Sequence, residues 1–296
     1  MLNKDYITEI YFFIDELLKN LKKSDLWDQL PKWIPYNKGR KRKLSLSEVI
    51  TLNIIRVLNH FTDLKAFHRN ASIFLIKDFP GLPNYENFLK ATNKSFPYLI
   101  VILHLLLTIS KINNTNNIKA IDSTPLPVCK NRRISRNKVC KGFAGRGKTT
   151  MGWFYGFKLH GISDLSGNIL SITITPGNID DRKVFNILFK NLSGIILGDA
   201  GYVISEKKIS DFLKNNIHLF TSVRNNMKKL MTKTQHNMLK KREAIETVWS
   251  ILKERLSIVT SLARSITGLM RHYYYVIVSY FFRHLTEKRL QLVNNF

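Results

Sequence analysis

Three acidic residues of this chain, Asp122, Asp199 and Glu246, have the surroundings that two-metal phosphodiester chemistry requires. Asp122 and Asp199 each end a short apolar stretch, which is typical of a residue at the end of a strand. Glu246 lies in a segment whose apolar residues recur at helical spacing. Two carboxylates at strand ends and a third on a helix can jointly hold two divalent metal ions. Such a pair of ions activates a water or hydroxyl and stabilises the leaving oxygen.

The other acidic residues of this region have structural explanations. Only ten acidic residues occur between residues 115 and 262. Asp164 lies in a predicted turn, and Asp180 or Asp181 lies where a helix N-cap is expected. Asp199, taken alone, could equally be an ordinary aspartate of the turn after a strand. A single carboxylate is more often structural than catalytic, so it is the combination within this order of strands that favours the set of three.

The predicted helix around Glu246 also carries two cations. Arg242 precedes Glu246 by four residues and Lys253 follows it by seven. Both spacings place the side chains on about the same face of a helix. A carboxylate flanked in this way could bind a metal ion while the cations hold phosphates, although an exposed helix with salt bridges has the same pattern. Trp249 belongs to the predicted buried face.

A strongly basic segment follows the first candidate carboxylate. Residues 130–148 hold eight Lys or Arg and no acidic residue. We interpret the segment as a surface for the DNA backbone, with a mobile solvated loop as the alternative. Residues 228–233 and 240–242 form a second basic patch. Trp153 and Trp249 could stack on an unpaired base, but a core position is the more ordinary interpretation of both. The eight cations are Lys130, Arg132, Arg133, Arg136, Lys138, Lys141, Arg146 and Lys148.

The composition favours a globular protein that binds a polyanion. The 296 residues include 47 Lys and Arg against 21 Asp and Glu, a formal net charge of +26. Two cysteines imply neither a disulfide framework nor a zinc site. The N-terminal sequence has no pattern of a signal peptide. The apolar run Tyr98–Ile109 is shorter than the roughly 18 residues of a membrane span, so it predicts a buried helix. We therefore expect a cytoplasmic protein.

The periodicity of the sequence changes at the polar stretch 113–117. Residues 1–112 read as a helical N-terminal domain, and residues 113–296 read as an α/β domain with C-terminal helices. The α/β domain has the order three strands, helix, strand, helix, strand, helix, which is the order of a ribonuclease-H-like fold. We predict a mixed sheet flanked by helices. The predicted strands are 118–128, 153–162, 169–175, 195–197 and 218–223, and the predicted helices are 180–190, 207–214 and 243–256.

The helical N-terminal half has two possible functions. Ser45 and Glu48 predict a capping box at the start of an apolar helix, and Asn84 predicts a second cap. A compact basic run at 38–43 lies just before the first of these helices. This half is either a DNA-binding domain of helix-turn-helix type or a helical packing domain with a solvated basic loop.

One motif indicates a different chemistry. The string from Gly142 to Thr149 matches the phosphate-binding P-loop pattern. A P-loop needs an apolar strand before it and a helix after it. The preceding residues are polar and basic, and the following ones, 151–157, look extended. We therefore interpret the match as coincidental, which leaves an ATPase partner of a DNA-processing system as the weaker alternative.

Together these segments resemble the DDE transposases of bacterial insertion sequences, most closely the insertion-sequence 982 family. The resemblance covers about residues 115–285 and rests on 121–128, 142–148, 152–160, 175–182, 197–202 and 242–253. Related transposases carry a helix with the pattern Y-x2-R-x3-E-x6-K. Arg242, Glu246 and Lys253 fit this pattern, whereas Leu239 stands where the tyrosine would be.

The resemblance implies a function and a set of roles. Asp122, Asp199 and Glu246 would be the catalytic residues and would hold two Mg²⁺ or Mn²⁺ ions. The partner would be double-stranded DNA, both terminal inverted repeats and target, and a homo-oligomer would join the ends. A nuclease of the same fold, or an inactive DNA-binding relic, are the alternatives. We expect the DNA-binding residues to be Arg132, Arg133, Arg136, Lys148, Lys158, Arg242 and Lys253.

Overall fold

The computed structural model describes residues 2–23, 43–150, 152–223, 231–260 and 262–284. Five of the six residues of the basic run 38–43 and three of the six residues of the basic patch 228–233 lie outside these residues. Among the residues that the structure describes, four helices precede the first strand, and one long helix follows the last short one. The elements in chain order are α1 (Lys4–Lys23), α2 (Leu46–Leu58), α3 (Leu64–Phe74), α4 (Tyr85–Ile112), β1 (Ile118–Cys129), β2 (Gly145–Thr149), β3 (Gly152–Asp164), β4 (Ile169–Pro176), α5 (Phe185–Leu188), β5 (Gly194–Gly198), α6 (Glu206–Lys214), β6 (Ile217–Thr221), α7 (Lys233–Lys240), α8 (Glu243–Ser250) and α9 (Ile266–His284).

Shorter helical turns occur between these elements. Three 3-10 helices span Asn131–Arg136, Asp181–Val184 and Ala200–Tyr202, and a π-helix, Ile251–Arg255, directly continues α8. The predicted strands of the α/β region and the predicted helix 207–214 occur, with shifts of a few residues at their ends. The predicted helix 180–190 forms only as the 3-10 helix Asp181–Val184 and the short α5, and the predicted helix 243–256 is α-helical only as far as Ser250. The sequence pattern missed β2, because its five residues have no apolar alternation.

The chain forms two compact units. The first contains residues 1–105, 255–258 and the chain from Thr267 onward, and the second contains 106–254 and 259–266. Helix α9 thus belongs with the N-terminal helices, whereas the sequence pattern groups it with the second domain. Its contacts explain this: the Tyr6 hydroxyl donates to Phe282 O at 3.0 Å, and the Ser95 and Tyr275 hydroxyls are 2.6 Å apart.

The first unit has an apolar core among its helices. Ile7 of α1, Leu52 and Ile55 of α2, and Phe67 of α3 are buried in one cluster. The Ser45 and Glu48 capping box forms as predicted, with the two hydrogen bonds at 3.1 and 2.6 Å. A side chain that accepts a hydrogen bond from an otherwise unpaired N–H group of the first turn stabilises a helix by roughly 1 kcal/mol. The cap at Asn84 also forms, through Asn87 N.

The second unit is built on a six-stranded mixed sheet. The strand order is β2-β3-β1-β5-β6. Strand β4 also pairs with β3, at residues 157–163, whereas β2 pairs with residues 152–156 of β3. Strand β3 is antiparallel to β1, β2 and β4, while β1, β5 and β6 are parallel. Buried residues of β1, β3, β4 and β5 pack against the 3-10 helix Asp181–Val184 and against α5, which follows it. This mixed α/β sheet with flanking helices is consistent with a ribonuclease-H-like domain.

The string that resembles a P-loop is not a loop. Its second half forms β2, which lies antiparallel to β3 with Gly147 opposite Phe154. A Cβ atom on Gly147 would lie 2.4 Å from Gly177 O and 2.5 Å from the Phe154 ring. The glycine is therefore needed for the close approach of β2 to its neighbours, so this string packs as a strand and does not form the nucleotide-binding loop of an ATPase.

Helix α4 is the one helix among the described residues that is long and apolar enough to cross a membrane. Within its most apolar 18-residue window, 33% of the residues are buried. A single helix of this kind is weak evidence, because a core helix of a soluble protein meets the same criterion.

Candidate active site

The register of β1 and β5 brings two of the candidate carboxylates to neighbouring positions. The parallel ladder pairs Ile118 with Ile195 and ends with Ala120 opposite Leu197. Asp122 and Asp199 each follow two residues beyond that last pair. Since adjacent strands lie about 4.8 Å apart, the ladder places the two residues side by side at the point where the strands separate.

Asp122 lies inside its strand and not at the end of it. Strand β1 continues to Cys129 and pairs with β3, with Asp122 opposite Gly161. The expectation of a strand end at Asp122 was wrong, whereas the predicted strand 118–128 is confirmed, so Asp122 lies in the first half of β1. The aspartate therefore has a sheet neighbour on one side and the diverging end of β5 on the other.

An indole ring fixes the Asp122 carboxylate. Trp249 of α8 is buried and donates its Nε1–H to Asp122 Oδ2 at 3.1 Å. The ring lies over Gly161, where a Cβ atom would be 2.7 Å from Trp249 Cη2. Glycine at this position is therefore required for α8 to approach the sheet. The sequence identified Trp249 only as a buried residue, and its spacing of three from Glu246 was the available signal for a role at the site.

Burial dominates the ionisation of Asp122. Desolvation raises the pKa of Asp122 from its ordinary value of 3.8 to about 6. Hydrogen bonds from the Ser123 backbone and Trp249, together with the charge of Arg242, oppose this shift, while the negative charge of Asp199 adds to it. The carboxylate is thus held in a place where its charge is costly unless a cation approaches.

Asp199 begins the turn that leaves the sheet. It directly follows β5, as predicted, and its Oδ1 accepts a hydrogen bond from Gly201 N at 2.9 Å. Tyr202 closes this turn and is buried, with 1% of its surface exposed. Burial and the charges of Asp122, Asp181 and Asp199 raise the pKa of Tyr202 well above its ordinary value. The Tyr202 phenol is therefore neutral, and it adds no charge to the surroundings of the two carboxylates.

Arg242 lies between Asp122 and the third candidate, Glu246. Its Nη2 is 3.9 Å from Asp122 Oδ1 and 3.9 Å from Glu246 Oε1. The Glu246 side chain is 58% exposed, whereas that of Arg242 is only 18% exposed. Arg242 Nε is buried without a hydrogen-bond partner among the described residues. A buried, incompletely bonded guanidinium suits an anionic ligand better than a purely structural ion pair.

Lys253 lies near the same carboxylates, although the helix changes its form before reaching it. The predicted single helix from 243 to 256 is an α-helix only as far as Ser250, and Lys253 lies on the π-helix that follows. Single π-helical turns occur often at functional sites. Burial lowers the pKa of Lys253, while the negative charge of Asp122 raises it. Lys253 thus adds a second cation to the surroundings of Asp122.

The chemistry of this site fits a hard cation, but the three carboxylates do not converge. Within the described residues, no group of three or more His, Cys, Asp or Glu side chains is arranged to hold a metal ion. Asp122 and Asp199 repel each other and offer only oxygen donors, which is the donor set that Mg²⁺ and Mn²⁺ prefer. Arg242 separates Glu246 from this pair.

Comparison with known proteins decides the family. A model of the family described as "Transposase DDE domain" matches residues 112–266, just over half of the chain. The chain belongs to the DDE transposases. No curated protein and no solved structure matches it. The matched range contains the whole mixed sheet and the helix that carries Glu246.

The transposase holds the strand of Asp122 in place with a partly buried polar network. Asp181 accepts from Ser123 Oγ at 3.0 Å and from Lys158 Nζ at 2.8 Å. Lys158 also donates to Ile179 O at 3.0 Å, and its side chain is 15% exposed. The ammonium of Lys158 is thus engaged within the protein, so its geometry favours holding Asp181 over contacting DNA. Sequence reasoning treated Asp181 only as a possible helix cap and did not find this network.

A buried histidine completes the network. His160 lies opposite Ser123 on β3, and its Nε2 is 2.8 Å from Thr175 Oγ1. Its Nδ1 is 3.7 Å from Asp181 Oδ1 and has no hydrogen-bond partner in the described part of the chain. Burial lowers the pKa of His160. The imidazole is therefore neutral near pH 7, and Lys158 provides the positive charge that Asp181 needs.

We expect Asp181→Asn to destabilise the transposase by about 1–3 kcal/mol, because it removes the carboxylate that pairs directly with the nearly buried Lys158 ammonium. The matched control is Asp180→Asn. Asp180 forms an ion pair with Arg182 in which both side chains are about 40% exposed, and such pairs contribute under about 1 kcal/mol. Denaturant unfolding followed by circular dichroism measures both variants. Equal losses for the two would contradict the role of the network.

The basic segment forms an ordered, exposed surface. Arg132, Arg133 and Arg136 lie on the 3-10 helix Asn131–Arg136, and Lys148 lies on β2. All eight cations between residues 130 and 148 are exposed. Over the described ranges, no carboxylate lies within salt-bridge distance of any of them. Residues 131–136 and 145–149 of the segment form regular structure, and its exposed cations are accessible to phosphates.

Proposed function

We propose that this DDE transposase cuts DNA at the ends of an insertion sequence and joins the 3′ ends to target DNA, as a relative of the insertion-sequence 982 family. The observation that carries the proposal is the equivalent position of Asp122 and Asp199, each two residues beyond the last pair of the parallel ladder between β1 and β5, inside the range that the family matches. Glu246 is the third catalytic residue. Arg242 links it to this pair.

Asp122, Asp199 and Glu246 would hold two Mg²⁺ or Mn²⁺ ions, as DDE transposase domains generally use divalent metals. The ions, when bound, activate a water or 3′-hydroxyl and stabilise the departing 3′ oxygen. Trp249 orients the Asp122 carboxylate through its hydrogen bond. Arg242 is positioned to exchange its contacts with the carboxylates for a phosphate of the DNA, which would let Glu246 turn toward the pair.

The cations of the site and of the basic segment would bind the DNA backbone. Lys253 and Arg242 lie beside the carboxylates, so they would contact phosphates next to the reacting bond. Arg132, Arg133, Arg136 and Lys148 would hold phosphates farther along the duplex. The substrates would be terminal inverted repeats and target DNA, and joining two ends would require at least a dimer.

We further propose that residues 1–112 form an all-helical domain, that residues 113–296 form the catalytic domain with its C-terminal helices, and that the protein works on DNA in the cytoplasm. Helix-turn-helix DNA binding by the helical domain stays a proposal, with a packing function as its alternative. The helices α1 to α4 and their buried core support the helical character of this part.

A plasmid that carries the DNA flanking this gene tests the proposed reaction. The purified protein is incubated with it in Mg²⁺, in Mn²⁺ or in EDTA, and the cuts are mapped by primer extension. We expect metal-dependent cuts at the flanks that expose 3′-hydroxyl ends, followed by joined products. Cuts without joined products would indicate a nuclease, and binding without cuts would indicate an inactive DNA-binding relic.

We expect Arg133→Ala to weaken DNA binding and to reduce the slope of log affinity against log salt concentration by about 1, since each phosphate contact releases counterions. Fluorescence anisotropy between 50 and 200 mM salt measures this slope. Lys214→Ala is the control, because Lys214 is paired with Asp211 on α6, outside the basic segment. An unchanged slope in Arg133→Ala would remove this residue from the DNA-binding surface.

A further inference from the structure

An aromatic pocket lies at the end of β1, away from the candidate catalytic residues. Its volume is about 420 Å³, within the range of small-ligand pockets. Trp153 is 61% exposed although sequence reasoning placed it in the core. The apolar lining includes Pro127, Trp153, Phe154 and Val259, and Lys130 and Asn131 are among its polar residues.

The exposed position of Trp153 is built into the structure. Trp153 is the second residue of β3 and lies opposite Lys148 of β2, at the short free end of that hairpin. Asn131 Nδ2 donates to Trp153 O at 2.7 Å, which ties the backbone of the tryptophan to the 3-10 helix. The Lys148 ammonium lies 5.8 Å from the centre of the indole ring. The pocket therefore combines a fixed aromatic face with a cation beside it.

We propose that this pocket binds an unpaired DNA base, with Trp153 as the stacking platform. A flat aromatic face accepts any base, while neighbouring cations hold the phosphates on either side. Asn131 lines the pocket and is the first residue of the 3-10 helix that carries Arg132, Arg133 and Arg136. A DNA strand whose phosphates contact those arginines would therefore lie next to the pocket opening. Cations alone would be enough to bind the phosphates of a paired duplex. An exposed indole beside a cavity instead suits a base that is unpaired and no longer stacked on its neighbours.

The strand geometry sets the position of this base relative to the cut. Pro127 to Cys129, at the pocket, lie five to seven residues beyond Asp122 on β1. At about 3.3 Å per residue the separation is roughly 16–23 Å. At about 3.4 Å per nucleotide this corresponds to roughly five to seven nucleotides. The unpaired base would therefore lie well away from the scissile phosphate, and the inference rests on the proposed DNA substrate.

Binding of two probes in EDTA tests the pocket without requiring catalysis. The full-length protein is titrated with an oligothymidylate of about 20 nucleotides and with a mixed-sequence duplex of the same length. We expect Trp153→Ala to lose about 5- to 150-fold in affinity for the oligothymidylate and to bind the duplex within about twofold of wild type. Trp153→Phe keeps an aromatic face and should retain most of the affinity.

Phe143→Ala is the matched control, because Phe143 is 55% exposed in the same basic segment but does not line the pocket. It should leave both affinities unchanged. Equal losses on both probes in Trp153→Ala, or no loss on the oligothymidylate, would overturn the proposal. A change in sedimentation of Trp153→Ala without DNA would also overturn it, because the pocket would then seat a second copy of the chain.

The two proposals fail in different ways. If wild type cuts no flanking DNA but shows the Trp153-dependent preference, the transposition reaction is refuted and the pocket stands. If wild type cuts and Trp153→Ala binds both probes normally, the reaction stands and the pocket is refuted. Once the cut is mapped, a single unpaired 2-aminopurine should be most strongly quenched about five to seven nucleotides from it, and a maximum at the cut itself would contradict the assigned position.

Discussion

The Asp199→Asn variant is expected to lose DNA strand cleavage by about 10³-fold or more while keeping its affinity for DNA. The substitution removes one negative charge from the pair that Asp199 forms with Asp122. The asparagine oxygen can still accept the hydrogen bond from Gly201 N, so the turn after β5 is preserved. Gel assays of cleavage with Mg²⁺, together with anisotropy measurements of binding, separate the two effects.

Asp211→Asn is the control for this experiment. Asp211 lies on α6 and is 57% exposed in a pair with Lys214, so the loss of its charge should leave cleavage unchanged. Cleavage by Asp199→Asn at the wild-type rate would exclude Asp199 from the catalytic set. Loss of both cleavage and DNA binding would instead show that the variant disturbs the structure of the site.

The Asp122→Asn variant should be inactive and yet more stable than the metal-free wild type, by up to about 3 kcal/mol above pH 6. The folded protein holds Asp122 with a pKa of about 6, above the ordinary value of 3.8. Between these values the folded state takes up a proton that the unfolded state does not. The loss of unfolding free energy caused by the charged Asp122 carboxylate is therefore fully present above pH 6, and it disappears as the pH falls toward 3.8.

Thermal unfolding at pH 8 and at pH 5, both in EDTA, measures this effect. The variant should melt several degrees above wild type at pH 8, and the difference should narrow at pH 5. Mg²⁺ should raise the melting temperature of wild type more than that of the variant, since it binds the intact carboxylates. A variant that is less stable than wild type at pH 8 would show that the favourable interactions of the charged carboxylate with Arg242 and Trp249 outweigh the cost of burying the charge.

Much of the fold could be predicted from the sequence because the signals are local. The apolar stretches of β1, β3 and β4 and the spacing in α8 indicate their elements without knowledge of the rest of the chain. The capping box at Ser45 depends on residues three apart, and it forms as predicted. Strand order then limited the candidate site to a few carboxylates.

Only the tertiary structure decided how these side chains meet. The hydrogen bond from Trp249 to Asp122 joins residues 127 apart in sequence. It also requires a glycine at position 161, because a side chain there would collide with the indole ring. Lys158 reads as a free cation in the sequence, yet Asp181 engages it.

Exposure, like contact, was set by long-range packing. Trp153 reads as a core residue, yet the short hairpin with β2 leaves it at the surface. Sequence periodicity reports which face of an element is apolar. The partners that lie against that face come from distant segments and are fixed by register and packing, so the sequence determined the elements and the structure decided the site.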